Sequence, residues 1–333
     1  MLGDDQMSTV LVTGGMGVIG SWVTRKLVEQ GIKVVTYSRH VDTALVKDIR
    51  DRFDCVIGDV LDLPNILYTI KHFRIERIVH MAAVLPDEMD ANPFMTYQIN
   101  VDGTTNILEA ARLMDIKKLV YASTQGVYAQ PQGEYAHPIY KPIDEDYPKG
   151  PANIYAATKF FGENMVLNYQ RIYGLNVIVM RFASIYGPGG QARHGKLALT
   201  SKIIESAMLG EPLKIPQGGD EALDMVSTRD VANGIWLACF ADLTEHNVFH
   251  IGTGKAETFR HLIEIVGEIF RGAAVEIGPG LIARRTPGVR SFVLNIDRAR
   301  RELGYGPQYD LETGVRDYVE MMKRLEIRPE VLS

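Results

Sequence analysis

Cysteine is nearly missing from this chain: there are two, Cys55 and Cys239, in 333 residues. Both sit among apolar neighbours, which points to buried reduced thiols rather than a disulfide. Positive charge is not in excess either. Lys and Arg number 36 against 41 Asp and Glu, a net charge of -5, and no basic stripe stands out, which argues against nucleic acid as a partner. No apolar run reaches the roughly 18 residues of a membrane span. The first residues carry Asp4 and Asp5 and lack the apolar centre of a signal peptide. These absences lead to the expectation of a soluble cytoplasmic protein without a membrane partner. There is no internal repeat and no low-complexity segment. What is present is a hydrophobic fraction of 46%, enough for a sizeable core. The length suggests about two domains, or one large α/β domain with an appendage.

Near the start, the β-branched run Thr9-Val10-Leu11-Val12 reads as a buried strand. The glycine cluster Thr13-Gly14-Gly15-Met16-Gly17-Val18-Ile19-Gly20 follows, and then Trp22, Val23, Leu27 and Val28 recur at helical spacing. Strand, glycine turn and helix together cradle a pyrophosphate: glycine permits the tight turn, and the helix N-terminus offers unpaired N–H groups. A glycine cluster alone is weak evidence in a chain with 31 glycines; its place between strand and helix is what gives it weight.

Further short strands are expected at Lys33–Tyr37, Asp54–Gly58, Arg77–His80, Lys118–Ala122 and Asn176–Arg181. Helices are expected over Ala44–Ile49, Pro64–Phe73, Pro93–Met114 and Asn153–Tyr173. Apolar strands alternating with helices mean a parallel sheet covered on both faces, a Rossmann-type doubly wound α/β fold. After Arg181 the texture changes at Gly187-Pro188-Gly189-Gly190 and at Pro216-Gln217-Gly218-Gly219. Helices are expected at about Lys196–Leu209, Arg229–Phe240, Thr258–Phe270 and Leu311–Leu325, with Val248–Ile251 as one more sheet strand. The expected division is a dinucleotide-binding domain over 8–182 plus about 225–252. A smaller mixed α/β substrate domain takes about 183–224 and 253–330 and closes over the carboxyl edge of the sheet.

Tyr155 and Lys159 lie four apart on a helix and share a face. An exposed aromatic beside a solvated lysine is the plain reading. The chemical one is a general acid/base, a phenol whose pKa the neighbouring ammonium lowers. Strand five ends in Ser123-Thr124-Gln125, with hydroxyls at a carboxyl edge where substrate should lie; the alternative is a simple turn cap.

Together these stretches resemble an extended short-chain dehydrogenase/reductase of the NAD-dependent epimerase/dehydratase type. The likeness runs through Gly14-x-x-Gly17-x-x-Gly20, Gly58-Asp59-Val60, His80-Met81-Ala82-Ala83 and Asn100 to Asn106. It continues through Ser123-Thr124 with Val127-Tyr128, Tyr155 to Lys159, Arg181 with Tyr186 to Gly189, Arg229 to Ala232, and Leu303-Gly304-Tyr305. The resemblance implies that Tyr155 moves the substrate proton, that Lys159 holds the nicotinamide ribose, and that Thr124 orients the substrate oxygen, with Ser123 second for that role. Gly14, Gly17, Val18, Ile19, Gly20, Ser38, Arg39, Asp59, Val60, Ala82 and Ala83 would hold the cofactor. Asn100 is a family position, although a buried asparagine tying two segments together reads as well. A homodimer through the helices around Pro93–Met114 and Asn153–Tyr173 is implied in the same way.

Four departures bear on the ligands. Ser38 stands where NAD enzymes of the family carry Asp, and Arg39 follows it. This favours NADP over NAD, unless Arg39 is merely a surface charge. Ser184 and Leu223 replace the Asn and Arg that usually reach a nucleotide diphosphate. Arg193, His194, Arg284 and Arg285 could replace those contacts or lie on the surface. Gln125-Gly126 follow Thr124 where dehydratases have Asp-Glu, which sets 4,6-dehydration aside. The leading expectation is therefore an NAD(P)-dependent oxidoreductase acting on a small hydroxyl/carbonyl metabolite, a free sugar, sugar acid or hydroxy acid. Ser123, Gln125, Ser184, Arg193 and Arg285 are its candidate substrate contacts. The alternatives are a nucleotide-sugar epimerase or ketoreductase, and a non-catalytic dinucleotide sensor. No metal site is expected.

Overall fold

The structure is a computed structural model, and it describes residues 8–85, 92–191, 198–281 and 291–330. Its centre is a seven-stranded sheet. In chain order the strands are β1 (Thr9–Thr13), β2 (Lys33–Ser38), β3 (Asp54–Ile57), β4 (Arg77–His80), β5 (Lys118–Thr124), β6 (Val177–Phe182) and, after four short strands outside this sheet, β7 (Val248–Ile251). Their spatial order is β7-β6-β5-β4-β1-β2-β3, and every pairing is parallel. The chain starts at β1, winds outward through β2 and β3, and returns to β4. That reversal opens a crevice at the carboxyl ends of β1 and β4, where such folds bind their ligands.

The flanking helices are α1 (Val18–Glu29), α2 (Leu63–Phe73), α3 (Pro93–Tyr97), α4 (Gly103–Leu113), α5 (Ile154–Tyr173), α6 (Leu199–Leu209) and α7 (Thr228–Phe240). Then come α8 (Phe259–Ile269), α9 (Asp297–Leu303) and α10 (Leu311–Arg324). Asn153 caps α5, accepting from the Ala156 N–H at 2.8 Å, and Gly174 ends it with φ +71°. Two cores fill the faces of the sheet: Val10, Val12, Trp22 and Phe249 belong to one, Leu11, Val35, Ile78 and Val179 to the other. A third core, including Ile203, Phe259, Val266, Val315 and Tyr318, gathers α6, α8 and α10.

Three details differ from the sequence expectations. Ala44–Ile49 is not a helix; a 3₁₀ turn covers Lys47–Arg52 instead. The single helix expected over Pro93–Met114 is interrupted by a π-type segment at Gln98–Asp102. Helix α9 has no counterpart in the sequence expectations: its seven residues are mostly charged, so periodicity gives too little to read. Both cysteines are free, Cys239 buried and Cys55 half-buried. Among the described residues no helix is long and apolar enough to cross a membrane.

One buried carboxylate fastens the later segments to the sheet. Asp224 is fully buried and accepts from Thr253 N–H and Oγ1, both at 2.7 Å, from Gly254 N–H at 3.1 Å and from Leu294 N–H at 3.2 Å. Burial raises its pKa, and those donors work against the rise.

Candidate active site

A cleft of about 440 Å³ runs along the carboxyl edge of the sheet. At one end lies the turn between β1 and α1. Gly14 takes φ +68° there, and a Cβ on Gly20 would come within 2.1 Å of the Gly14 carbonyl oxygen, so the turn closes onto the helix only with glycine at both positions. No side chain caps the first turn of α1, whose N–H groups and dipole suit an anion. Thr13 braces the turn from behind. Its Oγ1 lies 2.7 Å from His80 Nδ1 and accepts from the N–H groups of Met81 and Ala82 at 3.1 and 3.2 Å. Burial, with Lys159 adding to it, lowers the His80 pKa to about 3, so this imidazole is neutral.

Gly14, Gly17, Val18, Ile19, Gly20, Ser38, Arg39, Asp59, Val60, Ala82 and Ala83 all line the cleft. The Ser38 hydroxyl is buried without a hydrogen-bond partner. Together with the uncapped helix and the glycine cradle, this orphaned group shows that the lining fits a dinucleotide. His40, Asp42, Leu85, Ile99 and Phe182 also line it and carry no role in the sequence reading. His40 and Asp42 follow Ser38-Arg39 directly and could have been found by extending the β2 end by four residues.

Asn100 does not line the cleft. It is 1% exposed, its Oδ1 accepts from Val84 N–H at 2.8 Å, and its Nδ2 donates to Val84 O and Thr158 Oγ1 at 3.2 and 3.1 Å. Its amide is spent joining the loop after β4 to α5, so Asn100 shapes the cleft wall from behind, which corrects its place among the cofactor contacts.

At the far end of the cleft lie Ser123, Tyr155, Lys159 and Phe182. Helix α5 brings Tyr155 and Lys159 there, one turn apart. Lys159 is 3% exposed, with its Nζ 4.5 Å from the centroid of the Tyr121 ring. Burial pulls its pKa down to about 7, opposed by the charge of Glu163. The phenol of Tyr155 is pushed up by burial to about 12. The expected lowering by Lys159 is therefore not what the fold alone produces: desolvation dominates both groups, and the phenol keeps its proton at neutral pH.

Thr124 is half-buried at the end of β5, and its Oγ1 accepts from Gly126 N–H at 3.1 Å; Ser123, not Thr124, lines the cleft. Gln125 is 9% exposed, with Oε1 lacking a partner. Ser184 and Leu223 do not line the cleft. Ser184 lies in a short strand paired with Met225–Ser227, and Leu223 is 1% exposed in the third core. Arg193, His194, Arg284 and Arg285 lie outside the described residues.

Beneath Ser123 runs a buried polar network. Register places Ser123 opposite Arg181, and Arg181 opposite His250. Ser123 donates to Glu163, which Arg181 grips with two bonds, at 2.9 and 2.6 Å. Arg181 Nη1 also donates to Tyr128 Oη and Glu145 O, each at 2.7 Å. Tyr128 Oη also bonds His250 Nε2.

A profile of the NAD dependent epimerase/dehydratase family matches residues 10–252. A putative UDP-glucose 4-epimerase of Methanocaldococcus jannaschii is 32% identical over 317 residues, covering 94% of this chain and 98% of that protein. The UDP-glucose 4-epimerase of Mycolicibacterium smegmatis is 32% identical over 320 residues, with the same shares covered. Among solved structures, the UDP-glucose 4-epimerase of Thermotoga maritima with UDP-glucose is similar with a TM-score of 0.82 and 27% identity, over 95% of this chain and 99% of that one. The UDP-glucose 4-epimerase of Thermus thermophilus in complex with NAD gives 0.77 and 29%, over the same shares. The leading expectation of a free sugar or hydroxy acid finds no support in these relatives; the epimerase alternative agrees with them. The chain belongs to the NAD dependent epimerase/dehydratase family and is an enzyme of the extended short-chain dehydrogenase/reductase type.

Proposed function

We propose that this enzyme is a nucleotide-sugar 4-epimerase that works with a retained nicotinamide dinucleotide. One observation carries the reading: Tyr155 and Lys159 line the same cleft as the glycine turn, in a chain 32% identical to two proteins named as 4-epimerases. The glycine turn and α1 would hold the pyrophosphate, Asp59 and Val60 the adenine, Ser38 and Arg39 the adenosine ribose, and Lys159 the nicotinamide ribose. When bound, the nicotinamide supplies a hydride acceptor that can also return the hydride. Tyr155 takes the proton of the C4 hydroxyl and gives it back to the oxygen of the inverted centre, so no net proton enters or leaves. Lys159 supplies the positive charge that lets a phenol resting at about 12 give up its proton. The hydroxyls at the end of β5, Ser123 in the cleft lining and Thr124 next to it in sequence, would orient the sugar oxygen. With Ser184 and Leu223 absent from the cleft lining, the diphosphate would take its contacts from other residues.

The test incubates purified enzyme with UDP-glucose, UDP-N-acetylglucosamine and UDP-glucuronate and separates the 4-epimers by chromatography. Free sugars with NAD or NADP are read in parallel as net formation of reduced cofactor. Interconversion without net reduction is expected. Net reduction with free sugars, and no epimer from any nucleotide sugar, would sink the reading.

For the adenosine end, Ser38 and Arg39 support a cleft that accepts a 2′-phosphate, so NADP binds at least as well as NAD. Ser38→Asp would place a carboxylate against that phosphate. A charged hydrogen bond contributes about 1.5–3 kcal/mol, so the substitution is expected to shift preference toward NAD by roughly 10-fold or more. Titration of both cofactors by protein fluorescence measures it, and an unchanged ratio would remove Arg39 and Ser38 from the ribose site.

The smaller domain is proposed to be the unit around the third core, within about 183–224 and 253–330. A homodimer is proposed through α3 and α5. Phe94 and Tyr97 are exposed on α3, and Ile154, Phe161 and Ile172, at helical spacing along α5, are 44%, 45% and 58% exposed. Light scattering after size exclusion should give twice the 37.1 kDa chain mass; a monomer at micromolar concentration would exclude it.

A further inference from the structure

Helix α5 carries a third functional group on its catalytic face. Tyr155, Lys159 and Glu163 follow at four-residue intervals, so all three turn toward the carboxyl ends of β5 and β6. Glu163 is 1% exposed, and both its oxygens accept, from Ser123 and from the Arg181 fork. Because Ser123 gives its only proton to Glu163, it can only accept from a group entering the cleft. Thr124 differs: its oxygen accepts from Gly126 N–H, a bond that does not use its proton.

The titratable groups facing Lys159 come from three elements. These are Tyr155 and Glu163 on its own helix, His80 from β4, and the Tyr121 ring from β5. His80 is neutral, which leaves Glu163 as the anion of this set.

We propose that Glu163 is a positioning residue for the reaction: it sets its charge one helical turn beyond Lys159 on the same face of α5, and its hydrogen bond presents Ser123 to the cleft as an acceptor. The turnover readout rests on the epimerase reading; the binding readout does not. NADH affinity and UDP-glucose turnover are measured against pH in the full chain, for wild type, Glu163→Gln and Ser123→Ala. In Glu163→Gln the limb near neutrality that reports Lys159 is expected to move to lower pH by about half a unit or more, because an opposite charge has been removed. In Ser123→Ala the limb is expected to stay, while NADH affinity or turnover falls by about 3- to 10-fold, as for one lost hydrogen bond. A lost structural role would lower thermal stability without moving the limb. A limb unmoved in Glu163→Gln, or absent from wild type, overturns the proposal, as does Ser123→Ala with wild-type binding and turnover. Glu163→Gln leaves Arg181 without its counter-ion. Should it fail to fold, Glu163→Gln with Arg181→Met is neutral at both positions and is read in the same way. A wild type that shows the NADH limb but turns over no nucleotide sugar sinks the epimerase reading and supports this one.

Discussion

Tyr155→Phe is expected to lower kcat for nucleotide-sugar epimerisation by about 10²- to 10⁴-fold, the usual contribution of a positioned acid/base. The substitution removes one oxygen and keeps the ring, so α5 and the cleft wall stay in place. NADH affinity should change by no more than about tenfold, since a neutral hydrogen bond contributes about 0.5–1.5 kcal/mol. The phenol rests at about 12 because burial disfavours its anion. It therefore starts protonated, ready to return a proton, and needs nearby positive charge to accept one. Phenylalanine can do neither, so kcat and kcat/KM should fall together. Steady-state kinetics with UDP-glucose, together with NADH titration, measure both. A variant that retains more than a tenth of wild-type kcat would take Tyr155 out of the proton path.

Arg181→Met is expected to cost about 3–5 kcal/mol of folding stability, the penalty for leaving a buried charge without its partner. The Arg181 and Glu163 side chains are 5% and 1% exposed, and their closest N–O distance is 2.6 Å. Burial works against the guanidinium charge, and the bonds to Glu163 outweigh it, so the Arg181 pKa stands above its usual value. Methionine fills similar space but leaves Glu163 with Ser123 alone. It also leaves the Glu145 carbonyl and the Tyr128 hydroxyl without the Arg181 donor. Removing both charges together, with Glu163→Gln and Arg181→Met, should recover most of the loss. Urea unfolding of the two single variants and the double closes the cycle. A cost below about 1 kcal/mol in Arg181→Met would mean that the pair behaves like an exposed one.

Much of the sheet could be read from the sequence because its strands are short apolar runs set between helices. Val10-Leu11-Val12 and Ile178-Val179-Met180 are buried on both faces, which leaves no polar alternation to confuse them with amphipathic helices. Most of the cleft lining could be read as well, because it depends on backbone geometry that glycine marks in the sequence. Partnerships between distant side chains could not. Nothing near Asn100 announces that its amide is used by Val84 and Thr158, and the π-type segment that carries it has no sequence signature. Arg181 stood out only through resemblance, and its partner Glu163 went unnoticed, although it lies four residues beyond Lys159 on the same helix. The phenol pKa was misjudged for a related reason: a neighbouring lysine is visible in the sequence, whereas the loss of solvent around both groups is visible only in the fold.

The four-residue spacing on α5 also sets which changes its gene can absorb. Each residue turns the helix by about 100°, so one codon gained or lost between Tyr155 and Glu163 would swing one end of that face away from β5 and β6. Point changes at the outward positions Ala157 and Phe161, both exposed, leave the face intact. Over the nine residues from Tyr155 to Glu163, drift can therefore proceed by replacement and not by insertion or deletion. The length of this stretch is a stricter inheritance than most of its letters.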